Sequence, residues 1–109
     1  MPIILVNNIK DQSDKTKALE IRSLVFCEEQ KVSKEIEFDG LDQFCNHYLA
    51  KINERPIGTA RVREQKKGTF KIERMAVLKQ YRKKGVGKAI IEKILKHYLN
   101  LDNINKLIL

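Results

Sequence analysis

The sequence predicts an α/β (α+β) fold in which a mixed, mostly antiparallel sheet is flanked by helices, within one domain spanning residues 1–109. Two observations predict this fold. Three consecutive runs of strand-forming residues are separated by short turns, which is the pattern of an antiparallel meander. A helical pattern precedes these runs and an amphipathic one follows them, so helices are available to cover the sheet.

The first 30 residues predict a strand followed by a helix. The apolar run at residues 3–6 predicts the strand. Ser13 or Asp14 is expected to cap a helix that begins near Lys15, because both side chains can accept hydrogen bonds from the first turn. Apolar side chains then recur near helical spacing, and the helix is expected to end around Gln30.

The middle of the chain predicts an acidic connection and then the meander. Residues 31–43 are acidic and irregular, with turn-forming Asp39 and Gly40. Turns are expected at residues 53–56 and 66–68, because both segments combine polar residues with Pro or Gly. The three predicted strands are residues 44–52, 57–63 and 69–77.

The last third of the chain predicts a helix and a final strand. From Val86, apolar residues recur at the spacing of one helix face, while charged residues occupy the other. Residues 100–103 are expected to end this helix, and the apolar run at residues 106–109 predicts the strand. The apolar helix positions are Ile90, Ile91, Ile94, Leu95, Tyr98 and Leu99.

The charge of the chain is distributed unevenly. The net charge is +8, but residues 1–50 carry 6 basic and 9 acidic side chains, a net of −3, whereas residues 51–109 carry 16 and 5, a net of +11. The second half is therefore expected to meet an anionic partner, which leaves open a nucleotide cofactor, a nucleic acid or an acidic surface.

Several classes of protein are disfavoured by the sequence. No apolar run approaches the about 20 residues that span a membrane, and no basic region precedes the short apolar run at the start, which argues against a signal peptide. Cys27 and Cys45 lie far apart without a Cys/His cluster, so we expect reduced thiols that serve in packing, no metal, and a cytoplasmic location.

A glycine-containing basic loop precedes the second helix. Helix N-termini expose unpaired N–H groups and a partial positive charge, so a loop with Gly85 and Gly87 at this point can bind phosphate. Arg82 can add a forked contact, and Lys83, Lys84 and Lys88 add charge. A basic solvated turn is the simpler alternative.

Two common phosphate motifs do not fit this loop. A P-loop requires Ser or Thr where Ala89 stands, and a glycine where Arg82 stands. A dinucleotide-binding fingerprint requires a third glycine where Ile90 stands. The loop does fit the pattern R-x-x-G-x-G over residues 82–87.

This pattern, placed between a strand and a helix, resembles the acetyl-CoA signature of the GNAT N-acetyltransferase superfamily. Residues 72–91 resemble the strand–loop–helix unit of bacterial members, and residues 25–42 and 47–63 resemble one subgroup of largely unknown substrate. The resemblance extends from about residue 3 to residue 109. It implies a GNAT-type fold and transfer of an acetyl group from acetyl-CoA to a primary amine of a small molecule or protein, without a metal.

The resemblance also implies roles for matching positions. Backbone groups of Met75, Ala76 and Val77 would pair with the pantetheine arm of acetyl-CoA, and a strand N–H would polarise the thioester carbonyl. The pyrophosphate would be bound by the loop. Its residues are Arg82, Lys83, Lys84, Gly85, Val86, Gly87 and Lys88.

Glu73 is the candidate general base, because a carboxylate near the acetyl group can accept the proton of an ammonium group, often through water. It is expected to share a strand face with Met75; the alternative is that it pairs with Arg61 or Arg74. His47 is a weaker candidate base. The acidic residues between positions 28 and 37 either attract a cationic amine or are simply solvated. They are Glu28, Glu29, Glu35 and Glu37.

Two other functions compete with acetyl transfer. A nucleic-acid-binding module would use the basic second half, but aromatic residues for base stacking make up only 6% of the chain. A CoA-binding relative without catalysis is the other. Neither a nucleic acid nor a membrane is the expected partner.

The family pattern continues beyond the final apolar run with another helix and further strands, which often supply a Tyr that protonates the departing thiolate. Tyr48, Tyr81 and Tyr98 occupy other parts of the pattern, so none inherits this role. We therefore expect a domain that is incomplete at its C-terminus, with the phosphate loop retained and little or no acetyl transfer. Pairing of two copies as a homodimer is the other way to cover the exposed sheet edge.

Overall fold

The computed structural model describes residues 3–101 and 104–109. Among these residues, five strands form one sheet in chain order, and helices lie on both faces. The strands are β1 (Ile4–Asn8), β2 (Asn46–Ile52), β3 (Arg55–Lys66), β4 (Thr69–Val77) and β5 (Lys106–Ile108). The α-helices are α1 (Gln12–Arg22), α2 (Lys34–Glu37) and α3 (Val86–Tyr98).

The sheet confirms the predicted mixed, mostly antiparallel arrangement. β1 to β4 pair antiparallel, and β5 returns parallel to β4 after the crossover through α3. β5 reaches only the first part of β4, because its pairing ends with Ile108 opposite Lys71. Among the described residues, β4 beyond Lys71 therefore has a strand neighbour on its β3 side alone.

In the described part of the chain, two apolar clusters pack on the sheet, one on each face. The larger joins α3 to the sheet through residues such as Tyr48, Ile72 and Ile90. The smaller joins α1 to the opposite face and includes Leu49 and Ala76. Tyr48 and Leu49 belong to different clusters because successive strand residues point to opposite faces.

A bulge at Arg74 interrupts this alternation in β4. Arg61 pairs with Glu73 and Thr59 with Ala76, so Arg74 and Met75 both lie opposite the single residue Ala60. Arg74 adopts a left-handed backbone with φ of 55°. After the extra residue, each side chain of β4 faces the opposite side of the sheet from the one that simple alternation predicts. Met75 therefore packs with the α3 cluster, while Ala76 belongs to the α1 cluster.

The helices differ from prediction in their details. α1 is capped by Asp11, whose Oδ1 accepts a hydrogen bond from the Asp14 N–H at 2.8 Å, so the predicted caps Ser13 and Asp14 are wrong. Asp11 precedes the helix with an extended backbone, which an N-cap requires. The helical run continues to Glu29, near the predicted end, but its last residues, Ser23–Glu29, are π-helical.

The remaining elements lie close to their predicted positions. The connection predicted as irregular contains α2, capped by Ser33, and a 3₁₀ turn at Asp42–Phe44. α3 begins at Val86 as expected and ends at Tyr98, slightly before the predicted end. That predicted end partly concerns residues 102 and 103, which lie outside the described residues. Within residues 3–101 and 104–109, no helix is both long and apolar enough to cross a bilayer.

Candidate functional site

The loop between β4 and α3 has the geometry of an anion-binding turn. Lys83 and Gly85 adopt left-handed backbones, with φ of 63° and 86°. Gly85 is the N-cap of α3, and no side chain within residues 3–101 and 104–109 forms a capping hydrogen bond there. The first N–H groups of α3 are thus left without a side-chain cap, at the positive end of the helix dipole.

Open space lies over this helix start. Beyond its chain neighbours and the backbone of its own helix, a Cβ added to Gly87 would meet no atom of the described residues within 4 Å, so packing does not require glycine there. The absence of a side chain instead leaves the backbone of the first helical turn accessible to a ligand. Lys83, Lys84 and Lys88 are all exposed around this space. The arrangement can hold a phosphate or pyrophosphate group.

Arg82 does not present a free guanidinium to this loop. Its Nε donates to the Val77 carbonyl at 2.9 Å, and its Nη1 and Nη2 donate to the Glu29 carboxylate at 2.9 and 2.7 Å. The fork predicted to contact phosphate is therefore directed at a carboxylate of the π-helical segment. Arg82 connects this loop to the end of β4 and to the end of the first helical run.

The free edge of β4 runs toward the same loop. Residues 75–77 lie just after the bulge, on the part of β4 that β5 does not reach. Strand backbone groups at such an edge can bind an extended ligand as an additional strand would bind. The bulge redirects this edge, so Met75 lies on the opposite face from Glu73. The expectation that these two side chains share a face is therefore wrong.

Glu73, the candidate base, lies within an ion-pair cluster. Its Oε1 accepts hydrogen bonds from Arg61 Nη2 and Arg63 Nε, each at 2.7 Å. Burial favours a raised pKa for Glu73, but the hydrogen bonds from Arg63 and Arg61 outweigh it and lower the pKa below its ordinary value. These contacts confirm the alternative expectation that Glu73 pairs with Arg61, and they add Arg63 as a partner that was not expected. Its general-base role stays a prediction.

The cluster around Glu73 extends to the acidic connection and was not anticipated. Arg61, only 1% exposed, also contacts Asp39 and Asp42 at 2.7 and 2.9 Å. Arg22, likewise 1% exposed, contacts Asp42 and Glu37, each at 2.7 Å. Burial of arginines is rare without such pairing. A sequence signal for this cluster was Arg22, which stands on the apolar stripe of the first helix between Ala18 and Val25.

The acidic residues considered for amine binding behave differently from one another. Glu37 is buried in this cluster and Glu29 pairs with Arg82, so neither carboxylate is free for a cationic ligand. Glu28 and Glu35 are exposed. Among the described residues, the cluster around Arg61 contains four arginines and four carboxylates, so its formal charges balance. Its members are Arg22, Arg61, Arg63, Arg74, Glu37, Asp39, Asp42 and Glu73.

The other candidate residues belong to the first helical run and to the start of β2. His47 is buried at the start of β2, with Nε2 donating to the Asp42 carbonyl at 2.9 Å, and burial lowers its pKa. Cys27 and Cys45 are unpaired thiols, and Cys45 donates to the Leu41 carbonyl. Within the described part of the chain, no three His, Cys, Asp or Glu side chains gather closely enough to hold a metal ion.

Comparison with known proteins is consistent across sequence and structure. The model of the acetyltransferase (GNAT) family matches residues 14–109. A candidate acetyltransferase of Bacillus subtilis is 47% identical over 90 residues, which cover 80% of this chain and 60% of that protein. The chain spans about three fifths of the length of the curated relatives that it matches.

Solved structures share the fold at low sequence identity. A candidate N-acetyltransferase from Lactobacillus plantarum superposes with a TM-score of 0.85 at 21% identity, over 95% of this chain and 73% of that one. A GNAT family acetyltransferase from Brucella melitensis, solved in complex with acetyl-CoA, gives a TM-score of 0.79 at 13% identity, over 98% and 76% of the two chains. These likenesses establish the curled five-stranded sheet with its flanking helices.

Proposed function

The chain belongs to the acetyltransferase (GNAT) family, and on that premise we propose that it binds acetyl-CoA and serves transfer of the acetyl group to a primary amine. The family prediction made from the loop at residues 82–87 is thereby confirmed. The acceptor amine, and the activity of a chain that spans three fifths of its relatives' length, belong to the proposal.

The observation that carries the proposal is the start of α3, which is open to solvent and has a glycine as its N-cap. The N-cap Gly85 and the empty space over Gly87 leave backbone N–H groups accessible, with exposed lysines beside them. We assign the pyrophosphate of acetyl-CoA to this place, because a helix N-terminus combines N–H donors with a favourable dipole. We therefore keep residues 82–88 as the proposed pyrophosphate-binding residues. Arg82 would contribute by holding the conformation of the loop and not by contacting the phosphate.

The free edge of β4 supports a binding site for the pantetheine arm of acetyl-CoA. We assign the pantetheine arm to the backbone of residues 75–77, where β4 has no neighbour on its β5 side among the described residues. Acetyl-CoA supplies an acetyl thioester. A backbone N–H beside the bulge is our candidate donor to the thioester oxygen, because a fixed donor aimed at developing negative charge stabilises acyl transfer.

Glu73 is retained as the candidate base for the amine. Its arginine partners keep it ionised near neutral pH, so it could accept a proton, although its lowered pKa makes it a weak base. Glu73 and Met75 lie on opposite faces of β4, so we expect any proton to pass through water. No metal is required in this scheme.

Calorimetric titration with acetyl-CoA tests the proposal. We expect Gly87→Leu to weaken binding more than tenfold, because its side chain would fill the open space over the helix start, which is a loss of about 1.4 kcal/mol or more. Lys88→Ala should weaken binding by a smaller factor. Lys96→Ala removes the same charge at the far end of α3 and is the matched control, with no expected effect.

The titration also decides between the competing functions. Unchanged affinity in Gly87→Leu would overturn the assignment of the loop. Tight binding of duplex DNA without binding of acetyl-CoA would favour the nucleic-acid-binding alternative. A panel of amines, followed by release of the CoA thiol, then separates an active transferase from a CoA-binding relative.

A further inference from the structure

Two neighbouring residues of β4, Glu73 and Arg74, reach the same ion cluster. Successive residues of a regular strand point to opposite faces of the sheet. Yet Glu73 contacts Arg61 at 2.7 Å, Arg61 contacts Asp39 at 2.7 Å, and Arg74 contacts the same Asp39 oxygen at 3.2 Å. The left-handed backbone of Arg74 makes this arrangement possible, so the cluster and the bulge are parts of one structure.

Arg74 is anchored through contacts with α2 and the turn that follows it. Its Nε lies 3.2 Å from Oε1 of Glu37 and donates to the Glu37 carbonyl at 3.3 Å. Its Nη2 donates to the Ile36 carbonyl at 3.3 Å and contacts Asp39. The guanidinium therefore bonds to both the backbone and the side chains of this segment.

The anchor itself is held firmly. Glu37 is 3% exposed and accepts a hydrogen bond from Nε of the buried Arg22 at 2.7 Å, while Arg22 Nη2 donates to the Glu37 carbonyl at 3.1 Å. A left-handed backbone is unfavourable for an arginine and persists only where surrounding contacts compensate for it. The contacts with Glu37 and Asp39 are that compensation.

We propose that Arg74 is a positioning residue for acetyl-CoA: anchored by Glu37 and Asp39, it holds the bulge that aims the free edge of β4 at the pantetheine arm. The inference rests on the proposed function, because it takes residues 75–77 as the site of that arm. The pyrophosphate site at the start of α3 is held separately, because Val86 is buried in the α3 cluster and lies against Gly58 of β3. Loss of the anchor should therefore affect the arm and spare the pyrophosphate.

Two ligands separate these effects. Acetyl-CoA contains both the pyrophosphate and the arm, whereas 3′-phosphoadenosine 5′-diphosphate contains the same nucleotide without the arm. We expect Arg74→Ala and Arg74→Gly to weaken acetyl-CoA binding at least fivefold while the affinity for the nucleotide stays within twofold. Arg74→Gly matters because glycine accepts the left-handed backbone but provides no anchor. Arg74→Lys should restore part of the affinity.

A control and a second measurement make the test specific to the anchor. Glu54 also has a left-handed backbone, with φ of 66°, in the turn between β2 and β3. Glu54→Ala and Glu54→Gly should leave both affinities unchanged. Amide hydrogen exchange of the ligand-free protein should rise at residues 75–77 in Arg74→Gly and remain as in the unaltered chain in Glu54→Gly.

Each outcome has a definite consequence. Wild-type acetyl-CoA affinity in both Arg74→Ala and Arg74→Gly would overturn the inference. Wild-type affinity in Arg74→Gly alone would also overturn it, because the loss in Arg74→Ala would then come from backbone strain and not from the missing anchor. Equal losses for both ligands would also overturn it, by showing general disruption. If the unaltered chain bound neither ligand, the proposed function would fail first and the inference with it.

Discussion

The backbone of Gly58 in β3 lies directly against Val86, the first residue of α3. A Cβ added to Gly58 would lie 3.0 Å from Cγ1 of Val86 and 3.2 Å from the Ala76 carbonyl oxygen. Glycine at this point lets the helix start approach the sheet closely. We expect Gly58→Ala to destabilise the fold by about 1–3 kcal/mol, as overpacking of a core does, and chemical denaturation would measure it.

Gly87→Ala is the matched control for this change. It adds the same methyl group one residue after Val86, where, in the part of the chain that the structure describes, no atom beyond the adjacent residues and helix backbone lies within 4 Å. Replacing glycine by alanine within a helix stabilises by up to about 1 kcal/mol, so we expect equal or higher stability. If Gly58→Ala proved as stable as Gly87→Ala, close packing of α3 on β3 would not depend on Gly58.

The helices and strands that the sequence predicted well are those with local signals. α3 follows an apolar stripe that is read from one segment, and its first residue was predicted correctly at Val86. The central strands were found because turn residues such as Gly68 mark their ends. The loop before α3 was recognised for the same reason, since its chemistry lies within six consecutive residues.

The features that were missed depend on distant parts of the chain. The bulge at Arg74 is coupled to contacts with Glu37 and Asp39, more than 30 residues earlier, and no pattern within β4 indicates them. The Arg82–Glu29 contact joins residues 53 positions apart. The alternation of β4 predicted Glu73 and Met75 on one face. A single inserted residue reverses that assignment.

Arg61 and Arg63, both on β3, allow a test of whether burial determines how much the ion cluster contributes to stability. Both contact Glu73 at 2.7 Å, but the Arg61 side chain is 1% exposed and that of Arg63 is 27% exposed. Arg61→Met would leave Asp39 and Glu73 without their buried partner, so we expect a loss of about 3–5 kcal/mol in the free energy of unfolding. Urea denaturation measures this loss.

Arg63→Met is the matched control, because it removes the same charge from the same carboxylate nearer to solvent. We expect it to cost about 1 kcal/mol or less, the range of exposed ion pairs. Similar losses in the two variants would contradict the view that burial gives the cluster its importance.

The cluster should make the fold sensitive to acid. Hydrogen bonds from Arg61 lower the pKa of Asp39, and hydrogen bonds from arginines outweigh burial to lower the pKa of Asp42 and Glu73. Lowered carboxyl pKa values stabilise the fold above the unfolded-state pKa, about 4, and this stability is lost as the pH falls through the folded-state values. We therefore expect the contribution of these groups to the free energy of unfolding to be nearly constant from pH 7 to 5 and to fall steeply below pH 4.

Asp39→Asn tests that slope. Asparagine does not titrate, so this variant should be less stable at pH 7 and lose less stability on acidification. Burial lowers the pKa of His47 and adds a separate decline as the pH falls below about 6.5, but this contribution is common to both proteins and cancels in the comparison. Parallel stability curves for the two proteins between pH 5 and 3 would count against the role of Asp39.

The predicted general-base role of Glu73 can be tested through the pH–rate profile of a transferase assay. We expect Glu73→Gln to lower turnover and to change the acid limb, while acetyl-CoA affinity holds. Arg63→Met should move the acid limb of the otherwise unaltered enzyme to higher pH, because removing a hydrogen-bond donor raises the pKa of Glu73. Wild-type turnover of Glu73→Gln at every pH would reject the role and leave Glu73 as a structural ion-pair partner.

The contact between Glu29 and Arg82 predicts the effect of charge at the phosphate loop. Both side chains are more than one third exposed, so their ion pair contributes little to stability, and the contact of Arg82 with the Val77 carbonyl remains without it. Glu29→Gln removes a negative charge beside an anion site. We expect acetyl-CoA to bind about two- to fivefold more tightly at low salt, with the gain vanishing at high salt as screening increases.

Glu28→Gln separates the effect of the Glu29–Arg82 contact from the effect of net charge on acetyl-CoA binding. Glu28 is exposed and adjacent in sequence, and its removal changes the net charge equally. Only Glu29→Gln also releases the two Arg82 nitrogens that now donate to a carboxylate, so its gain should exceed that of Glu28→Gln. Weaker binding in Glu29→Gln would instead mean that the carboxylate holds Arg82, and through it the loop, in the shape that the pyrophosphate requires.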